Sequence, residues 1–227
     1  MRLVRRAAVL LDLLVPPICA ACGIPGDIAC RDCVAAIPPL SGVGCARCGH
    51  PWAVSTPTCS ECPPRLDALR FAAPYAEPVP RLMGQLKDRG RRQLVASLVD
   101  LVIQRCAPVT GRVLVPIPLT KQRRVERGFN QAELVAEGLA AQWGSEVRAL
   151  LVRTRDDQPQ RGASATDRRE NVRGAFAAAP GEQPSEVWLV DDVCTTGATL
   201  SACARALRRA GVRSVNAVCV ARVLRHP

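Results

Sequence analysis

Past residue 66 the chain alternates two periodicities. Short β-like apolar runs fall at residues 69–75, 113–117, 147–153, 187–191 and 215–220. Between them, stretches with apolar positions at helical spacing cover 79–87, 93–105, 131–142 and 198–210. Apolar runs bounded by turn residues read as strands, and recurrence every three to four residues reads as the buried stripe of a helix. Strands alternating with helices imply a mostly parallel α/β sheet, because each crossover helix carries the chain back to the same end. This pattern occupies residues 67–227.

Residues 1–66 follow a different rule. Few large apolar side chains occur there, too few for an independent hydrophobic core. Instead, eight of the twelve cysteines lie between positions 19 and 62 as four C-x-x-C pairs: Cys19/Cys22, Cys30/Cys33, Cys45/Cys48 and Cys59/Cys62. Such a pair lets two thiolates from one tight turn take adjacent corners of a tetrahedron around Zn²⁺. The pattern repeats, with Gly23 and Gly49 following the second cysteine of each set. Glycine suits the sharp positive-φ turn of a knuckle. A double zinc ribbon with two consecutive four-Cys sites is expected, holding one or two structural ions. Spacing alone does not say which pairs share an ion. A disulfide framework would need an oxidising compartment and a less regular cysteine pattern. Iron–sulfur ligation usually brings closer cysteine spacing.

Ahead of the first knuckle, Arg2, Arg5 and Arg6 precede an apolar stretch at 7–15 that resembles the start of a secretory signal. Asp12 interrupts it, Pro16 and Pro17 end it, and no small-x-small site follows. A short amphipathic helix docked on the rest is the expectation, and thiol-rich zinc sites fit a reducing cytoplasm. The other cysteines, Cys106, Cys194, Cys203 and Cys219, lack a pairing pattern and read as small core residues. His50 reads as structural.

Composition narrows the function classes. Hydrophobic residues at 48% with 22% charged exclude a disordered tail or a fibrous repeat. No apolar run approaches the roughly 18–20 residues of a membrane span. The net charge of +11 points to a polyanion, either nucleic acid or a phosphorylated small molecule. Most of that excess lies beyond residue 70.

The segment from Val187 to Thr199 carries the most chemistry. An apolar strand runs into Asp191 and Asp192, then into Thr195, Thr196, Gly197, Ala198 and Thr199 at the start of a helix. Backbone amides, hydroxyls and the positive end of the helix dipole make this loop a monophosphate cradle. Gly197 lets the backbone approach a phosphate closely. Carboxylates only accept hydrogen bonds, so the two acids suit a sugar diol attached to that phosphate. Lys121, Arg123, Arg124 and Arg127 follow Val115-Pro116-Ile117-Pro118, beyond a strand's carboxyl end, where open α/β sheets bind ligands. Their guanidinium forks match pyrophosphate oxygens. Asn130 reads as the cap of the helix beginning at Gln131. A polar, Arg-rich stretch from 153 to 172 between two β-like runs suggests a mobile lid, with Arg155, Gln158, Arg168 and Asn171 as contact candidates.

The run at 187–199 resembles the signature of type I phosphoribosyltransferases. The resemblance implies that Asp191 and Asp192 hold the ribose hydroxyls of phosphoribosyl pyrophosphate, and that residues 195–199 hold its 5-phosphate. It also implies that helices cover both faces of the sheet. The cysteine-rich region, Leu86-Lys87, Val115-Pro116-Ile117-Pro118 and Arg127-Gly128-Phe129-Asn130-Gln131 further resemble the ComF/GntX-like competence family over nearly the whole chain. That resemblance adds Lys87 to the ligand-binding set and implies a bacterial protein associated with DNA uptake in natural transformation, with single-stranded DNA and uptake proteins as partners.

If the resemblance extends to chemistry, the ligand is phosphoribosyl pyrophosphate, or a related phosphosugar, with Mg²⁺ held largely by ligand oxygens. A nitrogen nucleophile would attack C1 of the ribose as pyrophosphate leaves. Asp191 and Asp192 would steady the positive sugar ring, and Arg123, Arg124, Arg127 and the lid the leaving group. No segment reads as a nucleobase hood. A second reading is therefore a non-catalytic adaptor or single-strand binder that keeps the phosphoribosyl site. The aromatic residues are few for stacking platforms: Trp52, Phe71, Tyr75, Phe129, Trp143, Phe176 and Trp188. Trp188 is expected to point into the core.

Overall fold

A computed structural model of the chain describes residues 16–40, 44–51, 54–155 and 174–224. The expected helix before the first knuckle and most of the expected lid lie outside these residues. In chain order come α1 (Arg31–Ala35), β1 (Leu69–Pro74), α2 (Val79–Arg89), α3 (Leu94–Arg105), β2 (Val113–Pro116), α4 (Lys121–Arg127) and α5 (Gln131–Trp143). Then follow β3 (Glu146–Val147), β4 (Leu151–Arg153), β5 (Phe176–Ala178), β6 (Glu186–Cys194), α6 (Ala198–Arg209) and β7 (Ser214–Arg222).

Five strands form a sheet in the order β1-β7-β6-β2-β3, every neighbouring pair parallel. The middle strands β6 and β7 are apolar on both sides because both sides are covered. On one face Leu98 and Val102 of α3 and Val135 and Leu139 of α5 pack against Trp188, Val190 and Val218. On the other, Leu200, Cys203 and Leu207 of α6 meet Val187, Leu189, Ala217 and Cys219. Helices on both faces are as expected, and so are Trp188 and the four unpaired cysteines in the interior. Among the described residues no helix is long and apolar enough to cross a membrane.

Two local expectations change. The single strand expected at 147–153 is two strands: β3 extends the main sheet beside β2, whereas β4 pairs antiparallel with β5 in a separate two-stranded sheet. The backbone turns between them, Leu150 N–H donating to the Arg148 carbonyl. An apolar run records burial but not which edge it joins. The basic segment after Pro118 is also helical rather than a loop. Thr120 caps α4, its Oγ1 accepting from Arg123 N–H at 3.1 Å, so the cations stand on a rigid turn.

The cysteine-rich region straddles the edge strand β1. Its first part packs on the α2/α3 side: Ala20 and Ile37 join Ala72, Leu82 and Val102. Arg105 of α3 donates to the carbonyls of Ile37 and Pro38, and Arg81 and Arg91 to those of Ala21 and Ile18. The second part packs on the α6 side, where Cys45, Cys48 and Leu66 meet Leu69 and Phe71. Leu69 N–H donates to the Arg47 carbonyl at 2.9 Å. Exposed sheet edges invite pairing with other chains, and this module covers one.

A tight helix contact lies at Gly138 of α5, where a Cβ would sit 2.7 Å from a methyl of Val99 on α3. Helix propensity favours alanine there by about 1 kcal/mol, but the clash costs roughly 1–3 kcal/mol. Gly138→Ala is expected to be net destabilising, read as a lower urea midpoint with an unchanged slope.

Candidate functional site

The site forms where β6 ends. Asp192 is 6% exposed, and Lys87, in the last turn of α2, reaches it with Nζ 2.7 Å from Oδ2. Gln131, the first residue of α5, donates to the same oxygen from Nε2 at 3.2 Å. The other oxygen of Asp192 accepts from Val193 N–H at 2.7 Å, and Asp191 Oδ1 accepts from Asp192 N–H at 2.9 Å. Two helices and one strand thus meet on adjacent carboxyl groups.

The two acids differ electrostatically. Burial, and then the neighbouring Asp192 charge, pushes Asp191 up to about 8, with Lys87 acting in the opposite sense. Burial also acts upward on Asp192, but the Lys87 ammonium and the Gln131 amide hold it below the usual carboxylate value. One group is a carboxylate locked to a cation; the other is poised between neutral and charged forms.

Directly beyond β6 the chain enters the loop at 195–197 and then α6. Thr195 is exposed, and Thr196 Oγ1 accepts from Ala198 N–H at 3.3 Å. Gly197 has φ 71°, and a Cβ there would lie 2.7 Å from the ring of Pro63. Pro63 immediately follows Cys62, so the second knuckle packs against the cradle. Arg222, 3% exposed at the end of β7, strengthens that junction by donating to the carbonyls of Cys48 and Glu61.

Of the residues singled out from sequence, Asp191, Asp192 and Lys87 come into direct contact, and residues 195–199 follow them in the chain. Arg127 is half-buried; burial and Arg123 pull its pKa down, while the charges of Asp192 and Asp88 oppose this. Arg123 is exposed on α4. Arg124 is bound to Glu133 at 2.6 Å and is committed to its own helix pair. Arg155 is exposed beyond β4, its carbonyl accepting from Arg153 Nε. Gln158, Arg168 and Asn171 lie outside the described residues. Asn130 is structural, its Oδ1 capping Ala132 N–H and its Nδ2 donating to the Ile117 carbonyl. Sequence reasoning missed Gln131; the available signal was a second amide directly after a cap residue, at a helix start facing the acids.

The cysteines gather as two clusters, Cys19/Cys22/Cys30/Cys33 and Cys45/Cys48/Cys59/Cys62, with all Sγ atoms of each within 4.8 Å of one another. Individual Sγ–Sγ distances of 3.7 Å (Cys22–Cys30), 3.4 Å (Cys45–Cys62) and 3.6 Å (Cys48–Cys59) resemble the edge of about 3.8 Å of a tetrahedron with 2.3 Å Zn–S bonds. The pairing left open by spacing is sequential, and none of the twelve cysteines is in a disulfide. Gly23 and Gly49 have φ of 78° and 65°, as the knuckle turn requires. His50 is buried outside the clusters, Nδ1 donating to the Pro51 carbonyl at 3.0 Å.

Comparison with known proteins agrees with both parts. Residues 10–63 match the double zinc ribbon domain, and residues 127–226 match the phosphoribosyl transferase domain. The DNA utilization protein YhgH of Escherichia coli O157:H7 is 33% identical over 93% of this chain and 100% of its own length. Competence protein F of Haemophilus influenzae is 32% identical over 75% of this chain and 81% of its own. Competence protein ComFC of Bacillus subtilis is 29% identical over 82% and 80% respectively.

Two outcomes are expected from this geometry. Elemental analysis of the purified chain should give two zinc ions, and Cys45→Ser should lose one of them together with the order of the second knuckle. The acids should respond oppositely to amidation. A raised Asp191 weakens the fold as pH climbs from about 4, its unfolded value, to about 8, so stability is lost across that window. Asp191→Asn should therefore match wild type below pH 4 and exceed it at pH 8, by about 1.4 kcal/mol or more. Asp192 contributes stability above its unfolded value and loses it as pH falls through its lowered folded value. Asp192→Asn strands the Lys87 ammonium and should cost about 3 kcal/mol at pH 7. Thermal melts from below pH 4 up to pH 8 check both.

Proposed function

The chain belongs to the ComF/GntX-like competence family, and from that membership we propose that it binds phosphoribosyl pyrophosphate, or a closely related phosphosugar, together with Mg²⁺. The observation that carries this reading is the meeting of Asp191, Asp192, Lys87 and Gln131 directly before a cradle loop and a helix N-terminus. In this reading the hydroxyls of Thr195, Thr196 and Thr199 and the first amides of α6 receive the 5-phosphate, where the helix dipole favours an anion. Gly197, closed on its other side by Pro63, keeps the loop low enough for the backbone to reach it. Asp191 and Asp192 accept hydrogen bonds from the ribose hydroxyls. Lys87, Arg123 and Arg127 face the pyrophosphate.

Mg²⁺ arrives with the ligand and offsets the charge of the pyrophosphate oxygens. In a phosphoribosyl transfer the sugar becomes cationic as the leaving group gains negative charge. Asp192, held ionised by Lys87, and Asp191 in its ionised form then stabilise the ring, and Arg127, with Arg123 beside it, stabilises the departing pyrophosphate. Arg124 has a smaller part, since Glu133 already holds it. Arg155, Gln158, Arg168 and Asn171 remain candidates for a closing lid.

The names of the relatives support a role in the use or uptake of DNA, with single-stranded DNA and uptake proteins as partners. We place the chain in the cytoplasm and divide it into a zinc-ribbon module, 1–66, and a phosphoribosyltransferase-like unit, 67–227. The adaptor reading rests on the lack of a segment that reads as a nucleobase hood, and the aromatic residues restrict how such an adaptor would hold DNA. Of the described aromatic residues, Phe71, Phe129, Trp143, Phe176 and Trp188 are buried, and Tyr75 is 37% exposed. Contact with a single strand would therefore be electrostatic rather than stacked, centred on the exposed cations of α4, and steeply salt-dependent.

Calorimetric titration with phosphoribosyl pyrophosphate and Mg²⁺ tests the site. Wild type should bind. Asp191→Asn, which keeps the fold, should weaken binding about tenfold or more, the scale of a lost hydrogen bond to a charged group. Equal affinity in the two proteins would remove the diol assignment, and no binding by zinc-replete wild type would favour the adaptor.

A further inference from the structure

Gln131 has one half of its amide unaccounted for. The side chain is 4% exposed, and its Nε2 donates to Asp192 Oδ2 at 3.2 Å. A carboxylate only accepts, so this contact orients the amide and fixes Oε1 as the other end. Oε1 is buried and has no hydrogen-bond partner among the described residues. Its neighbour Asn130 shows the contrast, with Oδ1 and Nδ2 both satisfied by backbone. Buried acceptors are almost always paired, because leaving one dry forfeits its hydration without return. An acceptor left open beside the acids of a ligand site is paired when the ligand brings the donor.

We propose that Gln131 is a ligand-binding and specificity-determining residue, its Oε1 accepting a hydrogen bond from a ribose hydroxyl while its Nε2 holds Asp192. The inference rests on the phosphosugar reading above and deepens it. The Asp192 carboxylate and Gln131 Oε1 then present neighbouring acceptors with no donor between them, which selects a sugar rich in free hydroxyls. A deoxy sugar leaves one of these acceptors buried and unpaired, which is how a polar site rejects an analogue lacking a hydroxyl. Inorganic phosphate, held by the loop at 195–199, does not meet these acceptors. A metal-bound water is also an O–H donor, so the test is run with and without Mg²⁺.

The experiment titrates the full chain with ribose 5-phosphate, its 2-deoxy and 3-deoxy counterparts and inorganic phosphate. Wild type is compared with Gln131→Met, which keeps length and loses both polar atoms. Wild type should bind at least one deoxy sugar about tenfold or more weakly than ribose 5-phosphate. In Gln131→Met, affinity for ribose 5-phosphate should fall by a similar factor, affinity for phosphate should hold, and discrimination against that deoxy sugar should disappear. Should the methionine variant fold poorly, Gln131→Asn draws the amide back by one methylene and should blunt the same discrimination. Unchanged discrimination in a folded variant overturns the inference while leaving the phosphosugar reading intact. A Gln131 effect seen only with Mg²⁺ transfers the contact to a metal-bound water and overturns the hydroxyl assignment. If wild type binds phosphate but no ribose phosphate, the phosphosugar reading itself fails.

Discussion

The ion pair between Lys87 and Asp192 ties the helical layer to the sheet where two carboxyl groups would otherwise repel. Of the two adjacent acids Asp191 is pushed up toward its neutral form, and Asp192 stays charged only beside a nearby cation. Lys87 supplies it from α2 at 2.7 Å, and Gln131 adds an amide from α5. The ends of both helices are thereby fixed relative to β6, and with them the mouth of the site. The energy of such a pair is mostly conditional: it is costly to break from one side and less valuable as a source of net stability. Its position, on the Asp192 carboxylate at the end of β6, sets the geometry and charge of the candidate site.

The second constraint is the edge of the sheet. β1 pairs with β7 on one side only, and the cysteine-rich module wraps it from both faces. Metal-bound thiolates replace the core that so short a segment lacks, and the larger unit supplies apolar surface for it to rest on. The module also reaches the cradle. Pro63 closes the space beside Gly197, and Arg222 links the end of β7 to carbonyls of the second knuckle. The order of the metal site and the shape of the loop therefore depend on one another through packed contacts.

Charge is divided between structure and ligand recognition. Arg70 and Arg92 lie over the rings of Trp188 and Phe129 at 4.5 and 4.6 Å, and Arg105, Arg81 and Arg91 bind backbone carbonyls of the ribbon module. Two of these arginines thus pack within the larger unit, and three join the two parts of the chain. In the proposed function a smaller group, Arg123 and Arg127 of α4 with Lys87, faces the anion. Net charge from composition points to a polyanion, but only position separates the arginines that cement the fold from those able to meet a ligand.

Sequence alone determined the alternation of β1, β2, β6 and β7 with α2, α3, α5 and α6, the two four-cysteine ribbons and the Asp191-Asp192 signature, because each is written locally: in periodicity, in cysteine spacing and in contiguous residues. It also marked Lys87, by resemblance rather than by chemistry. The tertiary structure decided what depends on distant partners. It divided 147–153 between two sheets, turned a basic loop into a capped helix, assigned Arg124 to Glu133, and set the cysteine pairing. It brought Lys87 and Gln131, far apart in the chain, onto one oxygen of Asp192. Periodicity reports which side chains are buried; only the folded arrangement determines which buried polar atoms meet, and which, like Gln131 Oε1, are left for something else to satisfy.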